Sequence, residues 1–153
     1  MLEIRRYQDT DGSAILELHH LALGPNGAVF RSVKWDEDLL DINNNYINNN
    51  GEFLVGVLDN KIVCMGAFRK KSDTLAEVKR MRVNPDYQRR GFGQTILNNL
   101  EAKAIQFGYK ELCLDTTTKL IPAQKFYKKN GYVEVGRGKI LEVDLIFYRK
   151  KLK

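Results

Sequence analysis

The sequence predicts a single α/β (α+β) domain in which a mixed, mostly antiparallel sheet is flanked by helices. Three observations carry that expectation. Three apolar, strand-like runs follow one another between residues 52 and 83 with only short turns between them, the pattern of an antiparallel meander. From residue 74 to 116 a strand, a long amphipathic helix and another strand succeed one another, and strands joined through a helix pair in parallel. The chain has 153 residues, 43% hydrophobic and 29% charged, which suits one globular domain (residues 1–153) with its own core.

Residues 2–7 alternate as a first strand, and Asp9-Thr10-Asp11-Gly12-Ser13 supplies turn and N-cap residues for a helix over 14–23. Gly24-Pro25-Asn26-Gly27 breaks that helix, and the stretch to Trp35 has no period. Its aromatics, Phe30 and Trp35, either line a pocket or cover the edge of the core, the commoner use of such rings. Residues 36–50 carry Leu39, Leu40, Ile42, Tyr46 and Ile47 at helical spacing and end at Asn50-Gly51, a helix stop. Residues 53–58 and 61–68, joined by Asp59-Asn60, read as a hairpin, and a second turn at 70–73 leads into a third strand over 74–83. In that strand Ala76 and Val78 share one face, whereas Met81 and Val83 fall on the opposite parity. Either a β-bulge shifts the phase and leaves main-chain groups free for a ligand, or Lys79, Arg80 and Arg82 simply face solvent.

The run Val83-Asn84-Pro85-Asp86-Tyr87-Gln88-Arg89-Arg90-Gly91-Phe92-Gly93-Gln94 takes the chain from that strand into the long helix. Gly91 and Gly93 let the backbone approach a ligand, the free N–H groups and dipole of the helix start favour an anion, and Arg89 and Arg90 add positive charge. On pattern alone a tight turn fits equally well. Gly93, Ile96, Leu97, Leu100, Ala104 and Phe107 then recur at helical spacing up to Gly108. Residues 111–116 form a strand, and Pro122 opens a short helix with Ala123, Phe126 and Tyr127 on one face, stopped at Asn130-Gly131. Residues 132–137 and 143–150 complete the sheet as an antiparallel pair.

The formal charge of +6 suits an anionic partner, whether nucleic acid, an acidic surface or a phosphate-bearing cofactor. The basic cluster Arg69, Lys70 and Lys71 comes with no nucleic-acid motif and reads as a solvated turn, so no specific nucleic-acid partner is expected. No apolar run reaches the roughly 20 residues of a membrane span, and the start has no signal-peptide core. The expectation is a soluble cytoplasmic protein with no membrane contact. Cys64 and Cys113 lie in apolar strand runs and are expected to be buried and reduced. His19 and His20 are adjacent on a helix and diverge, so no metal site is expected.

Gln88-Arg89-Arg90-Gly91-Phe92-Gly93 fits the Gln/Arg-x-x-Gly-x-Gly/Ala signature of the GNAT superfamily of N-acetyltransferases. Ala123-x-x-Phe126-Tyr127-x-x-x-Gly131-Tyr132 resembles the superfamily's second motif, and the order of elements is similar to its fold, so a single-domain GNAT-like fold is expected. The resemblance implies acetyl transfer from acetyl-CoA to a primary amine by direct attack in a ternary complex. It also implies that the N–H groups of Arg89, Arg90, Gly91, Phe92, Gly93 and Gln94 hold the CoA pyrophosphate, with Gln88 of the same signature among the cofactor-binding residues. Met81, Arg82 and Val83 would bond the pantetheine like an added strand.

Two proton transfers of opposite sense accompany such a reaction. Glu77, eleven positions before Gln88, matches the general-base glutamate of the histone-acetylating branch, acting directly or through a water; otherwise it is a surface residue paired with a lysine. Tyr127 matches the superfamily's general acid toward the CoA sulfur; otherwise its ring packs beside Phe126. A main-chain N–H near Met81 would face the oxyanion. The sequence departs from the pattern at Leu120, where relatives often carry an asparagine that contacts pantetheine, a role left to Thr117 or Thr118. The acceptor, a small-molecule amine or a protein amino group, has no signature in the sequence, nor has the oligomeric state. The alternative reading is a non-catalytic acyl-CoA sensor or scaffold of the same fold, which would need neither Glu77 nor Tyr127.

Overall fold

The structure is a computed structural model, and it describes residues 1–23 and 37–153. Strand β1 (Glu3–Arg6) leads into helix α1 (Gly12–Leu23), and after the short helix α2 (Ile42–Asn45) come strands β2 (Glu52–Leu58), β3 (Lys61–Lys70) and β4 (Leu75–Val83). Helix α3 (Phe92–Gln106), strand β5 (Glu111–Thr117), helix α4 (Ile121–Lys129) and strands β6 (Val133–Ile140) and β7 (Val143–Lys151) follow. All seven strands form one sheet in the order β1-β2-β3-β4-β5-β7-β6. Only β4 and β5 run parallel; every other neighbouring pair is antiparallel.

Local chemistry explains the elements. Asp59 (φ 50°) and Asn60 (φ 64°) are both left-handed, the geometry of the tight hairpin turn that matches strand twist, and both are residues that tolerate it. One face of the sheet is covered by α3, whose Ile96, Leu97, Leu100 and Ala104 are fully buried against Val63, Phe68, Val78 and Leu112. Burying each larger side chain contributes about 1.5–3 kcal/mol. The other face is covered by α1 and α2, with Ile15, Leu18, Ile42 and Tyr46 on Phe53, Val55, Met65 and Ala67. No helix among the described residues is long and apolar enough to cross a membrane.

Two expectations need correction. Residues 36–50 do not make one helix: Glu37–Leu40 and Ile47–Asn49 are 3-10 turns on either side of the single α-turn α2. Asp41 and the asparagines bond locally instead of extending the ladder, as in Asn44 Nδ2 to Asp41 Oδ2 (2.8 Å) and Asn45 Nδ2 to the Asp41 carbonyl (2.8 Å). The stretch ends on Asn50, left-handed at φ 57°, rather than on Gly51. Cys64 is buried as expected, but Cys113 is only half-buried, because it lies on the sheet face opposite α3. Phe30 and Trp35 lie outside the described residues.

Candidate active site

β4 and β5 are paired only over Leu75–Glu77 and Glu111–Cys113. Beyond that point β4 stays on β3 as far as Val83 opposite Cys64, and β5 stays on β7 as far as Thr117 opposite Leu145. The two strands therefore part into a V, and among the described residues no strand pairs with the inner edge of either. The bulge lies on one arm of this V. Lys79 is opposite Ala67 and Arg82 opposite Met65, so Arg80 and Met81 together face Gly66. The extra residue resolves the phase slip, returning Met81 and Val83 to the α3 side with Val78.

Arg80 occupies the bulge at φ 61°, a left-handed value that costs a non-glycine residue about 1–2 kcal/mol. A largely buried ion pair offsets it. The Arg80 guanidinium donates to both oxygens of Asp38, Nε to Oδ2 at 2.9 Å, and the Tyr46 hydroxyl donates to the same carboxylate. Burial alone would raise the Asp38 carboxyl, but the Arg80 and Tyr46 hydrogen bonds outweigh it and hold it below the ordinary carboxylate range. Arg82, next along the arm, donates through Nη1 to the Met81 carbonyl (2.8 Å) and through Nε to His19 Nδ1 (3.3 Å).

At the wide end of the V the chain turns into α3. Gly91 stands at φ 78° as the N-cap, and the first helical bond runs from Thr95 N to the Gly91 carbonyl (3.0 Å). Among the described residues, the N–H groups of Gln88, Arg89, Arg90, Gly91, Phe92, Gly93 and Gln94 donate to no carbonyl and no side chain. A Cβ built on Gly91 would meet nothing within 4 Å, and one on Gly93 only Val83 Cγ2 at 3.6 Å, so the approach is open. Arg89 is exposed, and the Arg90 guanidinium lies 5.1 Å from the centre of the Tyr87 ring. Orphan N–H groups, a helix dipole and two arginines fit a pyrophosphate. The Gln94 side chain is occupied elsewhere, bonding Asn130 on Nε2 at 2.6 Å and so tying α3 to the end of α4.

Glu77 is the last β4 residue paired with β5, facing Cys113 at the closed end of the V, and it is 8% exposed. Its neighbours Ala76 and Val78 point into the α3 core, so Glu77 and Lys79 point to the other face. Arg69, directly opposite in the β3–β4 register, donates from Nε to Glu77 Oε1 at 3.1 Å, and Lys71 Nζ lies 3.9 Å from the same oxygen. Among the described residues Oε2 accepts no hydrogen bond. Burial pushes the Lys79 amine below the ordinary lysine range, against the pull of Glu77, and burial followed by the Glu77 charge pushes Asp115 up.

Tyr127 comes from α4, on the other side of the sheet. Its ring meets Phe126 at 5.2 Å and Tyr132 at 5.6 Å, both edge-on, and Tyr132 is fixed in turn by its hydroxyl bond to Glu101 Oε2 (2.8 Å). The Tyr127 hydroxyl makes no hydrogen bond among the described residues, and burial pushes the phenol up to about 12, with the nearby Arg82 charge pulling it down. No hydrogen bond joins Glu77 to Tyr127; they approach the V from opposite faces. At the position of the family asparagine, Leu120 is exposed, and the Gln124 side chain bonds the Thr117 (3.1 Å) and Thr118 (3.0 Å) carbonyls.

Sequence reasoning missed Asp38, Tyr46 and Lys79 beside these residues; no spacing signal pointed to Asp38 or Tyr46, whereas strand alternation already put Lys79 on the face of Glu77. Arg69 was within reach: counting back through the 70–73 turn pairs it with Glu77.

Comparison with known proteins agrees with the geometry. An acetyltransferase of the GNAT family from Staphylococcus aureus Mu50 superposes with a TM-score of 0.89 at 25% identity, covering 100% of both chains. An N-acetyltransferase from Thermoplasma acidophilum in complex with coenzyme A gives 0.80 at 20% identity, over 99% of each chain, a likeness of fold. N-acetylaspartate synthetase of Xenopus tropicalis is 32% identical over 101 residues, 65% of this chain and 37% of that protein, so the chain spans well under half of that relative. The model of the acetyltransferase (GNAT) family matches residues 15–132, most of the chain and both arms of the V. The chain therefore belongs to the acetyltransferase (GNAT) family.

Proposed function

We propose that this chain is an acetyl-CoA-dependent N-acetyltransferase acting on a primary amine by direct attack. The observation that carries the reading is the unbroken series of N–H groups from Gln88 to Gln94 that have no partner among the described residues, at the mouth of two parted strands. Bound acetyl-CoA supplies the acetyl thioester. The N–H groups and Arg89 and Arg90 hold its pyrophosphate, and the edge of β4 that carries Met81, Arg82 and Val83 meets its amides. The Met81 carbonyl is already taken by Arg82, so the N–H groups and the remaining carbonyls of this arm do that work.

Glu77 Oε2 takes the proton of the incoming ammonium, directly or through a water, while Arg69 fixes the carboxylate through Oε1. As the C–N bond forms and the C–S bond breaks, the Tyr127 hydroxyl gives its proton to the departing sulfur. Being raised to about 12, the phenol stays protonated across the working pH range. The two groups come from opposite faces of the sheet, so each serves one proton transfer without competing for the other's place. Burial pushes both thiols, Cys64 and Cys113, up to about 11, so neither holds much thiolate at neutral pH to carry the acyl group.

Calorimetric titration with acetyl-CoA, followed by thiol release with a panel of amines, tests the reading. Tight binding with amine-dependent thiol release is expected; absence of acetyl-CoA binding by the folded chain refutes it.

A further inference from the structure

The V carries more cations than the transfer itself needs, and their pairing sorts them. On the face shared with Glu77, Arg69 and Lys71 are both directed at Glu77 Oε1, and Arg80 is locked to Asp38. Lys79 differs. It follows Glu77 on the same face, and among the described residues its amine makes no ion pair and no hydrogen bond, although burial disfavours its charge. Across the gap Asp115, two residues beyond Cys113 on β5, also makes no ion pair among the described residues. A half-buried lysine without a partner is costly to maintain, and here the cost falls where the acceptor must enter.

We propose that the acceptor is a small primary amine bearing a carboxylate beside the amine, such as an α-amino acid, and that Lys79 binds that carboxylate. Resting on the acetyltransferase reading, this narrows the amine to a class. Glu77 and Lys79 are two residues apart on one strand, about 6.6 Å between their Cα atoms, so a compact amino acid spans from one side chain to the other. Its amine lies toward Glu77 Oε2, with Asp115 on the opposite wall, and its carboxylate completes the missing pair at Lys79. Opposite charges held apart by a gap orient a zwitterion in one sense only.

The test measures kcat/KM by thiol release for matched pairs of acceptors: L-phenylalanine and 2-phenylethylamine, L-histidine and histamine, L-lysine and cadaverine. The carboxylated member should be favoured by about 10–100-fold in at least one pair, the worth of one charge-assisted bond. Lys79→Met should remove that preference, lowering the carboxylated member and leaving its partner within about threefold, and Lys79→Arg should restore part of it. A preference for the decarboxylated amines, an equal loss on both members in Lys79→Met, or no turnover of any member overturns the proposal. If acetyl-CoA still binds and a protein amine is acetylated, only the acceptor class falls and the transferase reading stands.

Discussion

Gly93→Ala should make this protein more stable and worse at holding acetyl-CoA. Gly93 is the second residue of α3 and has none of the positive φ that marks Gly91. The added methyl meets only Val83 Cγ2, at 3.6 Å, an ordinary contact that needs no rearrangement. Replacing a helical glycine by alanine removes backbone freedom from the unfolded chain, a gain of about 0.5–1 kcal/mol. For a domain of this size that raises Tm by roughly 1–4 °C. On the proposed placement of the pyrophosphate over the Phe92, Gly93 and Gln94 N–H groups, the same methyl narrows its approach. Displacing the phosphate from one such bond forfeits about 1.5–3 kcal/mol, a 10–100-fold rise in Kd. Scanning calorimetry and isothermal titration of the same sample read both numbers. The opposite signs are the diagnostic, since a fold defect would lower both stability and affinity. A Kd within twofold of the parent would refute the placement of the cofactor on this turn.

Other perturbations separate the remaining parts. Glu77→Gln should lower turnover by roughly 10²–10⁴-fold at neutral pH, with partial recovery as alkali deprotonates the free amine, whereas Tyr127→Phe should show no such recovery. Parent-like pH–rate profiles in either variant would remove that residue from the chemistry. Asp38 has a depressed carboxyl in the folded state, so its contribution is complete above its unfolded value of about 3.9 and is lost as pH falls through the lower folded value. Thermal scans should therefore show an acid-side loss that Asp38→Asn flattens, and Asp38→Ala should cost about 1.5–3 kcal/mol at neutral pH by removing the carboxylate that accepts from Arg80 and Tyr46. An unchanged acid profile in Asp38→Asn argues against the pair. The Cys64→Ala/Cys113→Ala protein should keep its turnover, and a stable acetyl group found on either thiol by mass spectrometry would contradict direct attack.

By itself the sequence determined the order of elements and the glycine turn before α3. Both rest on local rules: alternation in β2 to β4, the helical period from Gly93 to Phe107, and glycines at the start of α3. The phase slip between Val78 and Met81 raised a bulge beside the alternative that Lys79, Arg80 and Arg82 face solvent, and the β3–β4 register decided for the bulge. Local rules misjudged residues 36–50, where apolar spacing promised a helix while Asp41 and its asparagines bonded their own backbone instead. Only the tertiary structure decided which side chains meet. The early parting of β4 from β5, the insertion of β7 between β5 and β6 and the clamp of Asp38 on Arg80 all join residues distant in the chain. Spacing along a chain fixes the face a residue occupies, but a partner is fixed by register and by what packs above it. Those are settled only when the whole sheet is assembled.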